Sequence, residues 1–115
     1  MLPDDRWRVR HMVDAAEQAL AFIQGRNRVD LDDDPMLRMA LTRAVEIVGE
    51  AAAQVSEAGR AESPAVPWPQ IIGMRNRLVH ASFDVNHGVL WDTVQLALPA
   101  LLTQLRAIVL GNDEP

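Results

Sequence analysis

Residues 75–80 carry the side chains best suited to chemistry in this chain. They read Arg-Asn-Arg-Leu-Val-His, so two guanidinium groups, an amide and an imidazole follow one another closely. Arg75 could stabilise charge on a phosphate under attack, and His80 could transfer a proton near neutral pH. Metal-free cleavage of RNA needs both kinds of group. The spacing R-x4-H is a weak motif by itself, because chance matches are common.

A predicted helix must position these side chains. It begins around Pro67 to Pro69 and frays near residues 82–85. At about 100° per residue, Asn76 and His80 share one face and Arg75 lies on the adjoining edge. The apolar side, which would anchor the segment in a core, contains Ile71, Ile72, Met74, Leu78 and Val79. The segment would then present its polar side chains at the surface while its apolar side is held in the core.

A purely structural alternative stays open at this point. Arg75 could pair with Glu46 or Glu50, while His80 merely ends a helix. The spacing alone favours this alternative. Other chemistries have less support, because the sequence contains no HExxH motif, no Gly-rich phosphate loop and no strained serine elbow. We therefore expect no metal site and no cofactor.

RNA cleavage at this segment would be an intramolecular displacement. A base removes the proton of the 2′-hydroxyl, the oxygen attacks the adjacent phosphorus, and an acid protonates the leaving 5′-oxygen. Arg75 would hold the phosphoryl oxygens, with Asn76 and Arg77 as supporting residues. His80 cannot readily be base and acid in one step. A two-fold dimer would supply a second copy of the segment.

Composition predicts one soluble domain spanning residues 1–115. The 115 residues carry a net charge of −5, and no cysteine is present for disulfides or a Cys-based zinc site. The acidic balance disfavours nonspecific coating of nucleic acid, so an RNA contact must come from a local patch. No apolar run was found that approaches a membrane span, and the N-terminus does not resemble a signal peptide. We expect a cytoplasmic protein without a membrane or DNA partner.

The first predicted helix is capped by Asp4 or Asp5 and ends near Gly25. A polar, acidic loop is expected at residues 26–33. Spacings of three and four place one apolar stripe on this helix. The stripe contains Val9, Met12, Val13, Ala16, Leu20 and Ile23.

The second predicted helix begins at Asp34-Pro35, a cap followed by proline at the first helical position. It runs to about Ala58, with Gly59 as its stop. Its expected buried residues are Leu37, Leu41, Ala44, Val45, Val48, Ala52 and Val55.

A polar strip on the same helix is formed by Met39, Arg43, Glu46 and Glu50. It is expected to be either a solvated face with i,i+3 and i,i+4 pairs or a surface for a partner subunit. The spacing does not decide between them.

The last third of the chain completes an all-α prediction. Asn86 is expected to cap a helix through Val94 and Leu98, and Pro99 should kink it or begin a short fifth helix through Ile108. No segment shows the period-two alternation of a strand. The predicted fold is an up-and-down bundle of four to five helices.

Longer blocks of sequence around the 75–80 segment resemble a known family. Residues 66–80 read VPWPQIIGMRNRLVH, and are followed by Phe-Asp-Val at 83–85 and Leu-Trp-Asp-Thr-Val at 90–94. With Glu-Ile-Val-Gly-Glu-Ala at 46–51, these blocks resemble the HepT-like branch of the HEPN domains. The resemblance covers nearly the whole chain, and it reverses the preference for the structural alternative.

The resemblance implies a homodimer whose two R-x4-H segments line a cleft at the interface. It also implies a metal-independent endoribonuclease, the toxin of a type VII-like toxin–antitoxin pair. The implied partner is an MntA-like nucleotidyltransferase antitoxin, which transfers AMP to a tyrosine. Arg75 and His80 match the family's catalytic pair, and Asn76 matches the polar residue after the arginine.

One position departs from the family pattern. The pattern is R-x4-H-x-Y, but Ser82 stands where the tyrosine that accepts AMP should be, and the chain contains no tyrosine. Modification of Ser82, inhibition by simple complex formation, and loss of regulation or toxicity all remain open. The alternative function is a non-catalytic HEPN module that binds a nucleotide, RNA or a minimal nucleotidyltransferase.

Overall fold

A computed structural model of the chain describes residues 1–78 and 85–111. These residues form helices joined by short connections, and they contain no β-strand, so the all-α prediction is confirmed. The elements are α1 Pro3–Phe22, α2 Asp30–Asp33, α3 Pro35–Gln54, α4 Glu57–Ala61, α5 Trp68–Ile72, α6 Met74–Leu78, α7 His87–Asp92, a π-helical turn Thr93–Ala97, and α8 Leu98–Gly111.

The long helices α1 and α3 pack against each other along their apolar stripes, and α8 packs on α1. In α1 the predicted stripe is buried at Val9, Met12 and Ala16, and its other members are partly buried. All seven residues of the stripe predicted on α3 are buried. Spacings of three and four therefore identified the two faces that form the core.

The start of α1 differs from the prediction. Pro3 is the first helical residue and Leu2 precedes it without a side-chain cap, so the expected capping role of Asp4 or Asp5 was wrong. Proline fits this first position because its missing N–H has no partner there anyway. Both carboxylates lie inside the first turn, where a negative charge interacts favourably with the helix dipole.

The cap of α3 is confirmed. Asp34 accepts a hydrogen bond from the N–H of Leu37 at 3.1 Å, and Pro35 is the first helical residue. The guanidinium of Arg26, 2.8 Å away, and the Leu37 N–H hold the pKa of Asp34 below its usual value. The loop expected before this cap contains the short helix α2, whose Leu31 is fully buried.

The end of α3 was predicted too late. The helix ends at Gln54, and Val55 turns to extended backbone with ψ of 132°. Ser56 then caps a separate helix, α4, by accepting the N–H of Gly59 at 3.0 Å. Gly59 consequently lies inside α4 instead of stopping α3. Val55 continues the apolar stripe past the last helical residue, so the spacing of apolar residues alone does not reveal where the helix ends.

Asp5 joins the start of α1 to the junction between α3 and α4. Its side chain is 7% exposed and accepts the Ser56 N–H at 2.9 Å and the Ser56 hydroxyl at 2.6 Å. A methyl group at Gly59 would lie 2.5 Å from the Asp5 carboxylate, so only glycine fits beneath it. The hydroxyl of Ser56 and then its N–H lower the pKa of Asp5.

The C-terminal helices follow the predicted cap but not the predicted break. Asn86 accepts the N–H of Val89 at 2.9 Å, which confirms it as the cap of α7. Helical backbone then continues past Pro99 to Gly111, beyond the expected end at Ile108. Proline cannot donate a backbone hydrogen bond, and the backbone instead widens to a π-helical turn just before it.

The stretch His87–Gly111 is long and apolar enough to cross a membrane by length and composition alone, with a mean hydropathy of 1.5. The expectation that no apolar run approaches a membrane span was therefore wrong. A core helix satisfies the same criterion; here 28% of the apolar window is buried in the bundle, and Leu90, Val94, Leu98 and Leu105 are fully buried.

We expect replacement of Asp5 by asparagine to lower the free energy of unfolding at pH 7 by about 1.5–3 kcal/mol, the usual value of hydrogen bonds to a charged group. Because the folded pKa is lowered, this stabilisation is present above the carboxyl's ordinary pKa, and it is lost as the pH falls through the folded value. Urea unfolding of wild type and Asp5→Asn between pH 7 and pH 2 measures the difference.

The matched control is Asp4→Asn, since Asp4 is an exposed carboxylate in the same turn. It should stay within about 0.5 kcal/mol of wild type. Equal losses in the two variants would assign the effect to the helix dipole and contradict the Asp5–Ser56 lock.

Candidate functional site

The 75–80 segment begins in α6, whose inner face is fixed in the core. Met74 and Leu78 are buried, as predicted, and Asn76 and Arg77 are exposed. Arg75 lies in the same helix, between Met74 and Asn76 in the chain. His80 and Ser82 fall outside the described residues, as does Val79. The assignment of Arg75 and His80 as a catalytic pair therefore stays a prediction.

Arg77 has a clear position on α6. Its guanidinium donates to the carbonyl oxygen of Gln70 at 3.1 Å and lines a small groove beside Leu98 and Leu101 of α8. This contact satisfies a carbonyl of α5. The phosphate-supporting role of Arg77, like that of Asn76, stays a prediction.

Two backbone contacts determine where the segment lies. The N–H of Asn86 donates to the carbonyl of Leu78 at 2.9 Å, so the residues on both sides of 79–84 are held together. On α3, Gly49 faces α5, and a β-carbon there would lie 3.2 Å from the Ile71 carbonyl oxygen. Glycine thus permits the close approach that positions α5 and, after it, α6.

A cleft lies between α3 and α7, and Val85 and His87 form part of its lining. We call it the α3–α7 cleft; its volume is about 660 Å³, within the usual range of small-molecule sites. Its lining residues are Arg38, Met39, Thr42, Arg43, Glu46, Val85 and His87. The lining contains two guanidinium groups and one carboxylate; Arg38 donates to the Leu31 carbonyl at 2.6 Å, and Arg43 pairs with Glu50 at 3.2 Å.

His87 is the imidazole of this cleft, and no sequence pattern indicated its partner. Its Nδ1 lies 2.6 Å from Oδ1 of Asp32, which comes from α2. A carboxylate on one ring nitrogen fixes the orientation of an imidazole and, in the neutral ring, the tautomer. The 55 positions between the two residues explain why no local pattern indicates the pair.

The polar strip of α3 is largely a surface. Met39, Arg43 and Glu50 are exposed, and Arg43 pairs with Glu50 at 3.2 Å across seven residues. That spacing is two helical turns, longer than the expected i,i+3 and i,i+4 pairs. Glu46 is half-buried in the α3–α7 cleft. A role of this strip in binding a partner subunit stays a prediction.

Comparisons with known proteins agree on one family. The family model described as "Ribonuclease HepT-like" matches residues 12–108. A protein of Caldanaerobacter subterraneus subsp. tengcongensis named "Putative RNase" is 33% identical over 101 residues, covering 88% of this chain and 90% of its own. A protein of Methanocaldococcus jannaschii, also named as a "Putative RNase", is 28% identical over 97 residues, covering 84% of this chain and 89% of its own.

A protein of Thermococcus cleftensis named "Probable ribonuclease HepT" is 38% identical over 68 residues, covering 59% of this chain and 62% of its own. No solved structure matches.

We expect Gly49→Ala to destabilise the fold by about 1 kcal/mol. Overpacking against the Ile71 carbonyl costs roughly 1–3 kcal/mol, and better helix propensity offsets about 0.5–1 kcal/mol of this. Denaturant unfolding measures the change. Gly111→Ala is the control, because a β-carbon at Gly111 meets nothing within 4 Å. If both variants are as stable as wild type, Gly49 does not set the α3–α5 spacing.

Proposed function

The chain belongs to the HepT-like ribonuclease family, and from this membership we propose that it is a metal-independent endoribonuclease of the cytoplasm that acts through Arg75 and His80. The observation that carries the proposal is the family match, because it spans the 75–80 segment together with the helices that position it. The α3–α7 cleft supports the proposal with two further guanidinium groups, those of Arg38 and Arg43.

The proposed reaction breaks the bond between phosphorus and the 5′-oxygen. A base takes the 2′-hydroxyl proton, the 2′-oxygen bonds to phosphorus, and the leaving 5′-oxygen takes a proton from an acid. The products are a 2′,3′-cyclic phosphate and a 5′-hydroxyl end. The Arg75 guanidinium neutralises charge on the phosphoryl oxygens, and Asn76 orients the phosphate or the imidazole.

The proposed active unit is a two-fold homodimer. Two copies of His80 in one cleft would divide the roles of base and acid, which a single imidazole cannot readily fill in one step. Exposed methionines on α3 support an interface close to the α3–α7 cleft, since Met36 is 81% and Met39 is 72% exposed. Flexible apolar side chains of this kind suit contact surfaces.

We further propose that the chain is the toxin of a type VII-like pair with an MntA-like nucleotidyltransferase as antitoxin. The family's tyrosine is replaced by Ser82 and the chain contains no tyrosine, so inhibition acts through complex formation. The replacement also favours a second candidate: a non-catalytic HEPN module that binds a nucleotide, RNA or a minimal nucleotidyltransferase.

In EDTA, the purified protein should cut single-stranded RNA and leave 2′,3′-cyclic phosphate ends. His80→Ala should lower the rate by about 10²–10⁴-fold and Arg75→Ala by about 10²–10³-fold. Arg106→Ala should match wild type, because Arg106 pairs with Glu17 at 2.8 Å between α8 and α1. Mass spectrometry of the ends and gel-based rates measure these changes.

Equal cleavage by wild type and His80→Ala would assign the activity to a contaminant. A protein that sediments as a monomer and still cuts RNA at the full rate would contradict the shared dimer site. Absence of cleavage with intact RNA binding would favour the non-catalytic module.

Co-expression with an MntA-like nucleotidyltransferase should give a stable complex in which this chain keeps its unmodified mass. The physical reason is that no phenol is present to accept AMP. Size-exclusion chromatography and intact-mass spectrometry test this. An added mass of one AMP in wild type that is absent in Ser82→Ala would show that Ser82 is modified. That outcome would contradict inhibition by complex formation.

A further inference from the structure

The tryptophan nearest the N-terminus is placed differently from the other two. Trp68 and Trp91 are buried at 5% and 8% exposure, whereas Trp7 is 49% exposed on α1. The imidazole of His11, one turn later, lies against Trp7 with ring centroids 3.9 Å apart. The guanidinium carbon of Arg8 lies 4.8 Å from the centre of the indole. These contacts hold an exposed aromatic surface beside a guanidinium group and an imidazole.

Arg8 and His11 also line a groove between α1 and α3, which we call the α1–α3 groove. Its volume is about 540 Å³, and Arg43, Glu50 and Gln54 line its other side. The lining thus contains two guanidinium groups, one carboxylate, an imidazole and an amide. Arg43 is already paired with Glu50 at 3.2 Å, yet the groove keeps a positive excess in a chain whose net charge is −5.

The groove and the α3–α7 cleft share one lining residue, Arg43. From Arg43 to Gln54 the groove follows α3 for about 16 Å at the rise of an α-helix. A strand bound at the α3–α7 cleft could therefore reach Arg43 and follow α3 toward Gln54. The groove contains guanidinium groups for phosphates, and Trp7 contacts two of its lining residues, Arg8 and His11.

We propose that the α1–α3 groove binds the flanking part of a single-stranded RNA, with one base stacked on Trp7 and phosphates contacted by Arg8 and Arg43. The proposal rests on the proposed function, since it extends the substrate away from the cutting site. A single strand is required because a base stacked within a duplex cannot reach an aromatic side chain. Stacking on a π-face tolerates any base, so this groove contributes affinity without sequence preference.

Binding of a non-cleavable probe tests this proposal independently of catalysis. The probe is a fluorescein-labelled 12-mer of 2′-O-methyl uridine, in which the attacking hydroxyl is blocked. Trp7→Ala should weaken its binding about tenfold, within the usual range for loss of one base–aromatic stack. Trp7→Phe should retain most of the affinity. Arg8→Ala should weaken binding and reduce its salt dependence by about one phosphate contact.

Matched controls lie on the same helix and on the opposite groove. Phe22 is another exposed aromatic of α1, at 42%, and Arg106 lines the groove between α1 and α8. Phe22→Ala and Arg106→Ala should bind the probe as wild type does. Thermal melting of each variant separates lost binding from lost folding, and Trp7→Phe provides the conservative test.

The outcomes separate this proposal from the proposed function. Trp7-dependent binding of the probe without cleavage of natural RNA would retain the groove and refute the ribonuclease. Cleavage and probe binding that are both unchanged in Trp7→Ala and Arg8→Ala would refute the groove and retain the ribonuclease. Loss of nucleotidyltransferase binding alone in these variants would identify a protein-docking surface and overturn the RNA assignment. Equal binding of a duplex that does not depend on Trp7 would overturn the assignment to a single strand.

Discussion

The buried carboxylate of Asp5 is the constraint on which the arrangement of the long helices depends. It accepts two hydrogen bonds from Ser56, whose hydroxyl oxygen in turn accepts the Gly59 N–H. The start of α1 is thereby tied to the point where α3 ends and α4 begins. Once these ends are joined, α1 and α3 must run antiparallel, and their stripes of apolar residues meet along their full length.

Helix α3 contacts several parts of the molecule through its different faces. One face is buried against α1, Gly49 admits the backbone of α5, and the exposed side carries Arg43 between the two grooves. A shift of α3 along its axis would therefore disturb the core, the position of α6 and the path between the grooves together. This coupling explains why a carboxylate far from the 75–80 segment bears on the geometry of the candidate site.

The features that the sequence predicted correctly depend on residues that lie close together in the chain. Asp34 and Asn86 cap helices through N–H groups three residues away, and apolar spacing identified the buried faces of α1 and α3. The pairs that the sequence did not predict, Asp5 with Ser56 and Asp32 with His87, join residues more than 50 positions apart. The 75–80 segment was recognisable by residue type and family pattern, whereas the α3–α7 cleft and the α1–α3 groove exist only after packing.

The acidic balance of the chain gives the arginines their significance. A protein of net charge −5 repels a polyanion at long range, so productive contact with RNA depends on short-range groups at fixed positions. Every cationic side chain is arginine, whose planar guanidinium can bind a phosphate through two hydrogen bonds and can also stack on an aromatic ring. Arg8 illustrates both abilities, since it lies over Trp7 and lines the α1–α3 groove. Lysine at that position would keep the charge but lose the planar stack and the paired donors.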